Sequence, residues 1–206
     1  ILEPLQSVVG VKMAEESYYT GLRDWCDRNG VVLIFDEVQT GNGRTGKWFV
    51  GEHWGMEPDL VTTAKGLGGG YPVGAVLANE KIAATVEPGD QATTFGGGPM
   101  AAAAVAATYR IIEEEGLVEQ VATLSAGVIE RLGEYVGRGV EEVRGLGYLL
   151  GVRCQRSAKE IQAALLERSI LVGTSGDPQT FRLLPPLTVS ASEWDLFFEA
   201  LEEIFS

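Results

Sequence analysis

The stretch that most limits the possible folds is Val31-Val32-Leu33-Ile34-Phe35, five apolar residues that stop at Asp36-Glu37. A run with three β-branched members and no polar alternation is the pattern of a strand covered on both faces, as in a parallel sheet. Just upstream, Tyr18, Leu22, Trp25 and Cys26 fall at helical spacing within residues 14–28, and Asn29-Gly30 supplies a stop. A helix, a short turn and a buried strand make half of a right-handed crossover unit. A second apolar segment, 60–64, ends on Lys65 and runs into Gly66 and Gly68-Gly69-Gly70, and residues 73–78 read as a third strand. The fold class is α/β.

Residues 80–86 form a short helix, and Pro99 opens an alanine-rich helix that Gly116 breaks. The next helix, 117–136, sets Val121, Leu124, Val128 and Leu132 on one face. The pattern then changes to strands at 140–144 and 148–153, a helix at 158–168, strands at 170–173 and 180–184, and a closing helix at 192–205 with Ser192 as N-cap. This change places a boundary near residue 116, between an α/β part (1–116) and an α+β part (117–206).

Sixteen Lys and Arg stand against 29 Asp and Glu, a net charge of −13, so the surface repels phosphate backbones and no nucleic-acid partner is expected. The longest apolar run, 100–107, is alanine-rich and too short for a bilayer, so no membrane span is expected and the cytoplasm is the default location. Cys26 and Cys154 lie far apart and form no metal or redox motif, so neither a metal nor a disulfide framework is expected. The opening Ile1-Leu2-Glu3-Pro4 reads as the inside of a strand, and the chain is expected to be a piece of a longer one.

Four stretches could carry chemistry. Asp36 stands at the carboxyl end of a buried strand, where open α/β sheets bind ligands, although a cap or a solvated loop group is the plainer role. Glu37 points the other way and reads as structural. Lys65 also ends a strand, among glycines that leave its amine uncrowded, and serves as either a nucleophile or an ordinary surface lysine. One strand end with a carboxylate and another with an amine suit a pyridine ring whose nitrogen needs an anion and whose aldehyde needs an amine. Thr93-Thr94-Phe95-Gly96-Gly97-Gly98-Pro99 combines two hydroxyls with free N–H groups before a helix, either a phosphate cradle or a common Gly/Thr loop. Arg182, inside the apolar strand Phe181-Arg182-Leu183-Leu184, needs an anionic partner, either a salt bridge or a ligand carboxylate. The sole histidine, His53, supports no nucleophilic triad. Gly41-Asn42-Gly43-Arg44 matches neither the ATP nor the NAD loop pattern.

Residues 33–41 (Leu-Ile-Phe-Asp-Glu-Val-Gln-Thr-Gly), then Gly43-Arg44-Thr45-Gly46, then residues 58–66 ending Thr63-Ala64-Lys65-Gly66, resemble the signature of class III pyridoxal-phosphate aminotransferases. Glu3-Pro4-Leu5-Gln6, Thr93-Thr94-Phe95-Gly96-Gly97 and Arg182-Leu183-Leu184-Pro185-Pro186-Leu187 follow in the family's order, so the resemblance covers essentially the whole chain. It implies fold type I, with 1–116 as the end of the cofactor-binding large domain and 117–206 as a small carboxyl-terminal domain. It also implies pyridoxal 5'-phosphate as cofactor and a homodimer. Lys65 would form the Schiff base with the cofactor aldehyde and then shuttle protons. Asp36 would pair with the ring nitrogen, keeping the ring electron-withdrawing. Val38 would pack on the ring and Gln39 would lie near its phenolic oxygen. Thr93 and Thr94 would bind the phosphate held by the partner subunit, and Arg182 would clamp the substrate carboxylate.

Some positions depart from the family pattern. Gly98 stands where the family usually has Asn, and Gln91-Ala92 where it has a His-Gly or similar pair. Val8 replaces a glutamate that pairs with the arginine in the ornithine and 4-aminobutyrate types, which points toward alanine–glyoxylate-like or broader ω-amino-acid branches. The expected activity is transfer of an amino group between an amino acid or ω-amino acid and a 2-oxo acid. The alternatives are a lyase or racemase of the same fold, or a truncated inactive chain. The isolated fragment is expected to bind cofactor weakly and turn over little, because the family's amino-terminal half completes the pocket.

Overall fold

The computed structural model describes residues 1–206. Internal packing divides them into two compact units. The first holds Ile1–Pro4, Ala14–Gly43 and Lys47–Gly116, and the second holds Leu5–Met13, Arg44–Gly46 and Leu117–Ser206.

In the first unit, helix α1 (Glu16–Asn29) leads into strand β1 (Ile34–Asp36). Strands β2 (Leu60–Thr63) and β3 (Ala75–Ala78), helix α2 (Glu80–Ala83) and helix α3 (Pro99–Glu114) follow. The sheet runs β1-β2-β3, with β1 parallel to β2 and β3 antiparallel to β2. β1 is shorter than the apolar run 31–35 suggests. Gly30, at φ +65°, closes α1, and the Val31 N–H returns to the Cys26 carbonyl at 2.9 Å, so Val31 completes the helix's closing turn and the strand starts after it. Val31 and Val32 are accordingly exposed, while Leu33 and Phe35 are buried. Tyr19 stacks on Trp54 with ring centres 4.0 Å apart, and Phe35 meets both rings edge-on. Leu2 bridges to Phe35 in parallel, which extends the sheet by a single pairing beside β1.

The second unit is α+β. Its elements are α4 (Leu117–Gly133), β4 (Val140–Leu146), β5 (Leu149–Cys154), α5 (Ala158–Leu166), β6 (Gly173–Thr174), β7 (Thr180–Leu183) and α6 (Ala191–Phe205). The sheet order is β4-β5-β7-β6, antiparallel throughout. Val121, Leu132, Tyr148, Ile161, Phe181 and Trp194 belong to its core. The structure corrects two expectations. The strand expected at 170–173 shrinks to Gly173–Thr174, because the Ile170 N–H bonds the Leu165 carbonyl at 2.9 Å to finish α5, leaving Leu171 exposed. The N-cap of α6 is Ser190, not Ser192. Ser190 Oγ accepts from the Glu193 N–H, and the Glu193 carboxylate accepts from the Ser190 N–H at 2.7 Å, a closed capping box.

The segment Leu5–Met13 packs on this second sheet. Val11 is fully buried, and a Cβ on Gly151 would lie 2.8 Å from its Cβ, so a glycine is needed there. Gly176 donates to the Val8 carbonyl at 2.7 Å, holding the segment beside β6. Cys26 and Cys154 are free, buried thiols. No helix is long and apolar enough to cross a membrane.

Candidate active site

The register of the parallel pair sets the first part of the site. Asp36 is opposite Thr62, so the carboxylate ending β1 lies beside the strand end from which Lys65 follows three residues later. Carboxyl ends of adjacent parallel strands are the ligand-binding edge of an α/β sheet. Asp36 is half-buried. Its N–H donates to the Leu2 carbonyl at 2.9 Å, and its Oδ1 accepts from the Val38 N–H at 3.1 Å. Its second oxygen makes no hydrogen bond, and the residue forms no ion pair. Val38 and Gln39 follow in a turn, both half-buried, in which the Gly41 N–H returns to the Glu37 carbonyl.

Lys65 opens a 3₁₀ helix, Lys65–Gly68, rather than merely ending a strand, and its φ is +50°. That backbone region is disfavoured for any residue with a Cβ. The side chain is exposed, with an amine that has no hydrogen-bond or ion-pair partner. The carboxylate next to Asp36 behaves differently. Glu37 is fully buried and accepts from the Val50 N–H at 2.8 Å and the Thr40 hydroxyl at 3.1 Å. Burial raises its pKa to about 7, against the lowering effect of these donors and of the Gly51 N–H. Its structural role is to fasten the turn after β1 to the segment that starts at Val50.

Thr93 and Thr94 lie in an exposed loop ahead of α3. Thr93 Oγ1 accepts from the Gly96 N–H at 3.2 Å, and a Cβ at Gly96 would overlap Thr93 Cγ2 at 2.2 Å, so this turn needs glycine. Thr94 keeps its hydroxyl free, and Phe95 is 90% exposed. No hydrogen bond joins this loop to Asp36 or Lys65.

Arg182 belongs to the second unit. Its cross-strand neighbours are Gly151 on β5, whose face is filled by Val11, and Gly173 on β6, where an added Cβ would stand 3.8 Å from Arg182 Nε. Nε donates to the Thr174 carbonyl at 2.8 Å and Nη1 to Ser7 Oγ at 2.9 Å. The structural salt bridge weighed for this arginine is not formed, so its charge is held by neutral acceptors alone and Nη2 stays free. An apolar cavity of about 560 Å³ in the same unit, lined among others by Val172, Leu183, Pro185, Trp194 and Phe197, contains none of the expected site residues.

Sequence reasoning missed three residues around these groups: Asn42, Tyr109 and Ser7. Asn42 was visible as the one non-glycine in Gly41-Asn42-Gly43, a position suited to the left-handed region, and its φ is +60°.

Residues 1–205 match the family model described as aminotransferase class-III. The chain belongs to the class-III aminotransferase family. It is 40% identical over 208 residues to the acetylornithine aminotransferase of Methanocaldococcus jannaschii, covering 100% of this chain and 52% of that protein. With the acetylornithine aminotransferase of Bacillus subtilis it shares 41% identity over 194 residues, 94% of this chain and 50% of the relative. Among solved structures, ornithine delta-aminotransferase of Plasmodium falciparum superposes with a TM-score of 0.90 at 32% identity, over 98% of this chain and 54% of that one. Acetylornithine aminotransferase from Elizabethkingia anophelis gives a TM-score of 0.91 at 31% identity, over 98% and 52%. The fold is therefore the fold type I of pyridoxal-phosphate aminotransferases, and the chain spans about half the length of the curated relatives it matches. These relatives are named for acetylornithine and ornithine, not for alanine and glyoxylate.

Class-III aminotransferases use pyridoxal phosphate, and the residues present fit that group. An unpaired amine and a carboxylate with a free oxygen stand at adjacent strand ends. Nearby, a Cβ at Gly70 would meet nothing within 4 Å, and one at Gly66 only Asn42 Cβ at 3.9 Å.

Proposed function

We propose that this chain carries the lysine and the ring-nitrogen partner of an aminotransferase that moves an amino group between an amino acid or ω-amino acid and a 2-oxo acid. The observation that carries this reading is the pairing of β1 with β2, which puts the unpartnered Lys65 amine and the half-buried Asp36 carboxylate at neighbouring strand ends. In this reading the first unit supplies the cofactor-binding large domain and the second the small domain. The printed names of the relatives favour an acetylornithine- or ornithine-like donor.

Pyridoxal phosphate, when bound, supplies an aldehyde that condenses with amines and a cationic ring that accepts electron density from the substrate carbon. Asp36 would hold a proton on the ring nitrogen through its carboxylate, with Oδ1 fixed by the Val38 N–H. Val38 and Gln39, half-buried in the turn after Asp36, would hold the ring and its phenolic oxygen. Lys65 Nζ holds the cofactor at rest. As a free amine, Lys65 Nζ would take the proton from the carbon that bears the substrate's transferred amino group and hold it for return. Arg182 orients the substrate by its carboxylate, through the guanidinium hydrogens that Ser7 and Thr174 leave unused. The exposed Thr93 and Thr94 serve the phosphate held by a second copy, so the working enzyme is a homodimer.

The test is spectroscopic. The protein expressed from its full reading frame is titrated with pyridoxal phosphate beside Lys65→Ala. A visible absorbance band present only with Lys65 supports the reading, and its absence overturns it. Stoichiometric exchange of amino acid for 2-oxo acid then separates transfer from elimination or racemisation.

A further inference from the structure

The end of β2 is held by a side-chain network that the family signature does not explain. Asn42 is 5% exposed and sits at φ +60°, and its amide makes three contacts with defined directions. Nδ2 donates to Thr63 Oγ1 at 2.9 Å and to the Ala64 carbonyl at 3.4 Å, while Oδ1 accepts from the Tyr109 hydroxyl at 2.9 Å. Tyr109, on α3, stacks on Trp48 with ring centres 5.0 Å apart and planes 13° from parallel, which fixes where its hydroxyl can reach. A second contact ties the same helix to the turn after Lys65. A Cβ on Gly69 would lie 2.8 Å from Thr108 Oγ1, so α3 presses directly on that turn.

These contacts fall on Thr63 and Ala64, the two residues before Lys65, and Lys65 itself occupies the left-handed region. A disfavoured backbone angle persists where the surroundings over-determine it, and such angles collect at functional positions. Asn tolerates the left-handed region better than other non-glycine residues, so position 42 can keep its own turn while its amide grips β2. Tyr109 adds direction: by occupying Oδ1 with a donor, it fixes which end of the amide faces Thr63 and Ala64.

We propose that Asn42 and Tyr109 form a positioning pair for Lys65, holding the strand end so that its amine is presented in the geometry that condenses with the cofactor aldehyde. The proposal rests on the reading of Lys65 given above. The pair acts through the Thr63 hydroxyl and the Ala64 carbonyl, next to Lys65.

Two variants of the full protein test it. Tyr109→Phe removes one hydroxyl and keeps the ring on Trp48. Asn42→Gly keeps the left-handed turn and removes all three contacts. Two measurements are made on each. One is the labelling rate of Lys65 by trinitrobenzenesulfonate in cofactor-free protein, relative to Lys12, Lys47, Lys81 and Lys159. The other is the rate at which the Lys65-dependent visible band forms on adding pyridoxal phosphate. The exposed amine labels at the wild-type relative rate in both variants, whereas band formation slows about 5-fold in Tyr109→Phe, the effect of one ordinary hydrogen bond, and more in Asn42→Gly. Band formation at the wild-type rate in both variants overturns the positioning role and leaves the reading of Lys65 intact. A wild-type protein with no band beyond that of Lys65→Ala overturns the reading of Lys65 itself. Should Asn42→Gly fail to fold, Tyr109→Phe alone decides.

Discussion

Arg182 Nη1 donates to Ser7 Oγ at 2.9 Å, joining positions 175 residues apart, and the acceptor is a neutral hydroxyl where a carboxylate would have quenched the charge. Ser7 is fully buried, so this bond is not shared with water. A guanidinium held this way is oriented yet stays uncompensated, which suits it to capture a substrate carboxylate. Ser7→Ala is therefore expected to raise KM for the carboxylate-bearing donor by about 2- to 12-fold, equivalent to about 0.5–1.5 kcal/mol, with kcat nearly unchanged. Steady-state kinetics on the full protein measure this. A fall in kcat at constant KM would contradict it.

Asp36 gives the sharpest separation of charge from shape. Asp36→Asn keeps the size of the side chain and can still accept from the Val38 N–H, but it cannot stabilise a protonated ring nitrogen. Loss of one charge-assisted bond of about 1.5–3 kcal/mol weakens cofactor binding by about 10- to 150-fold. Spectral titration with pyridoxal phosphate reads this directly. An unchanged affinity would remove Asp36 from the site.

Much of this arrangement was legible in the sequence, and the exceptions have physical causes. Asp36 and Lys65 stood out because strand-forming runs stop abruptly at a charged residue. Neither the two exposed valines after α1 nor the shortened β6 could be foreseen, because helix-closing hydrogen bonds from Val31 to Cys26 and from Ile170 to Leu165 took residues that pattern alone gives to strands. The cap moved from Ser192 to Ser190 because the spacing to Glu193 decides which serine closes a capping box. Partners distant in sequence, such as Asn42 with Tyr109 and Ser7 with Arg182, leave no periodic signal at all.

Glu37 makes stability depend on pH in a direction opposite to most carboxylates. Burial raises its folded pKa to about 7 from an ordinary value of 4.5, so the folded chain binds this proton more tightly than the unfolded chain. Its contribution is complete below about pH 4.5, declines as the pH rises, and is lost above about pH 7. The shift corresponds to at most about 3 kcal/mol. Glu37→Gln removes the titration, so wild type minus variant stability, followed by urea unfolding from pH 4 to 8, is expected to fall across that window. A flat difference would show that the Val50 and Thr40 donors offset the burial.

Two glycines should respond in opposite directions to the same substitution. Gly147 sits at φ +56°, and a Cβ there would lie 2.4 Å from the Thr45 carbonyl carbon and 2.6 Å from the Arg44 carbonyl oxygen. Both obstacles are backbone, so neither can rotate away. The Tyr148 N–H also donates to the Arg44 carbonyl at 2.9 Å, and Arg44 in turn donates to the Pro185 carbonyl, so displacing residue 147 disturbs the loop that follows β7, three residues beyond Arg182. Gly147→Ala is expected to destabilise the protein by about 2–4 kcal/mol, combining left-handed strain with overpacking. Gly127 lies inside α4, exposed, and a Cβ added there would meet nothing within 4 Å. Gly127→Ala is expected to stabilise by about 0.5–1 kcal/mol through helix propensity. Thermal unfolding of both variants beside wild type checks the pair, and equal shifts would show that local geometry at Gly147 does not govern the effect.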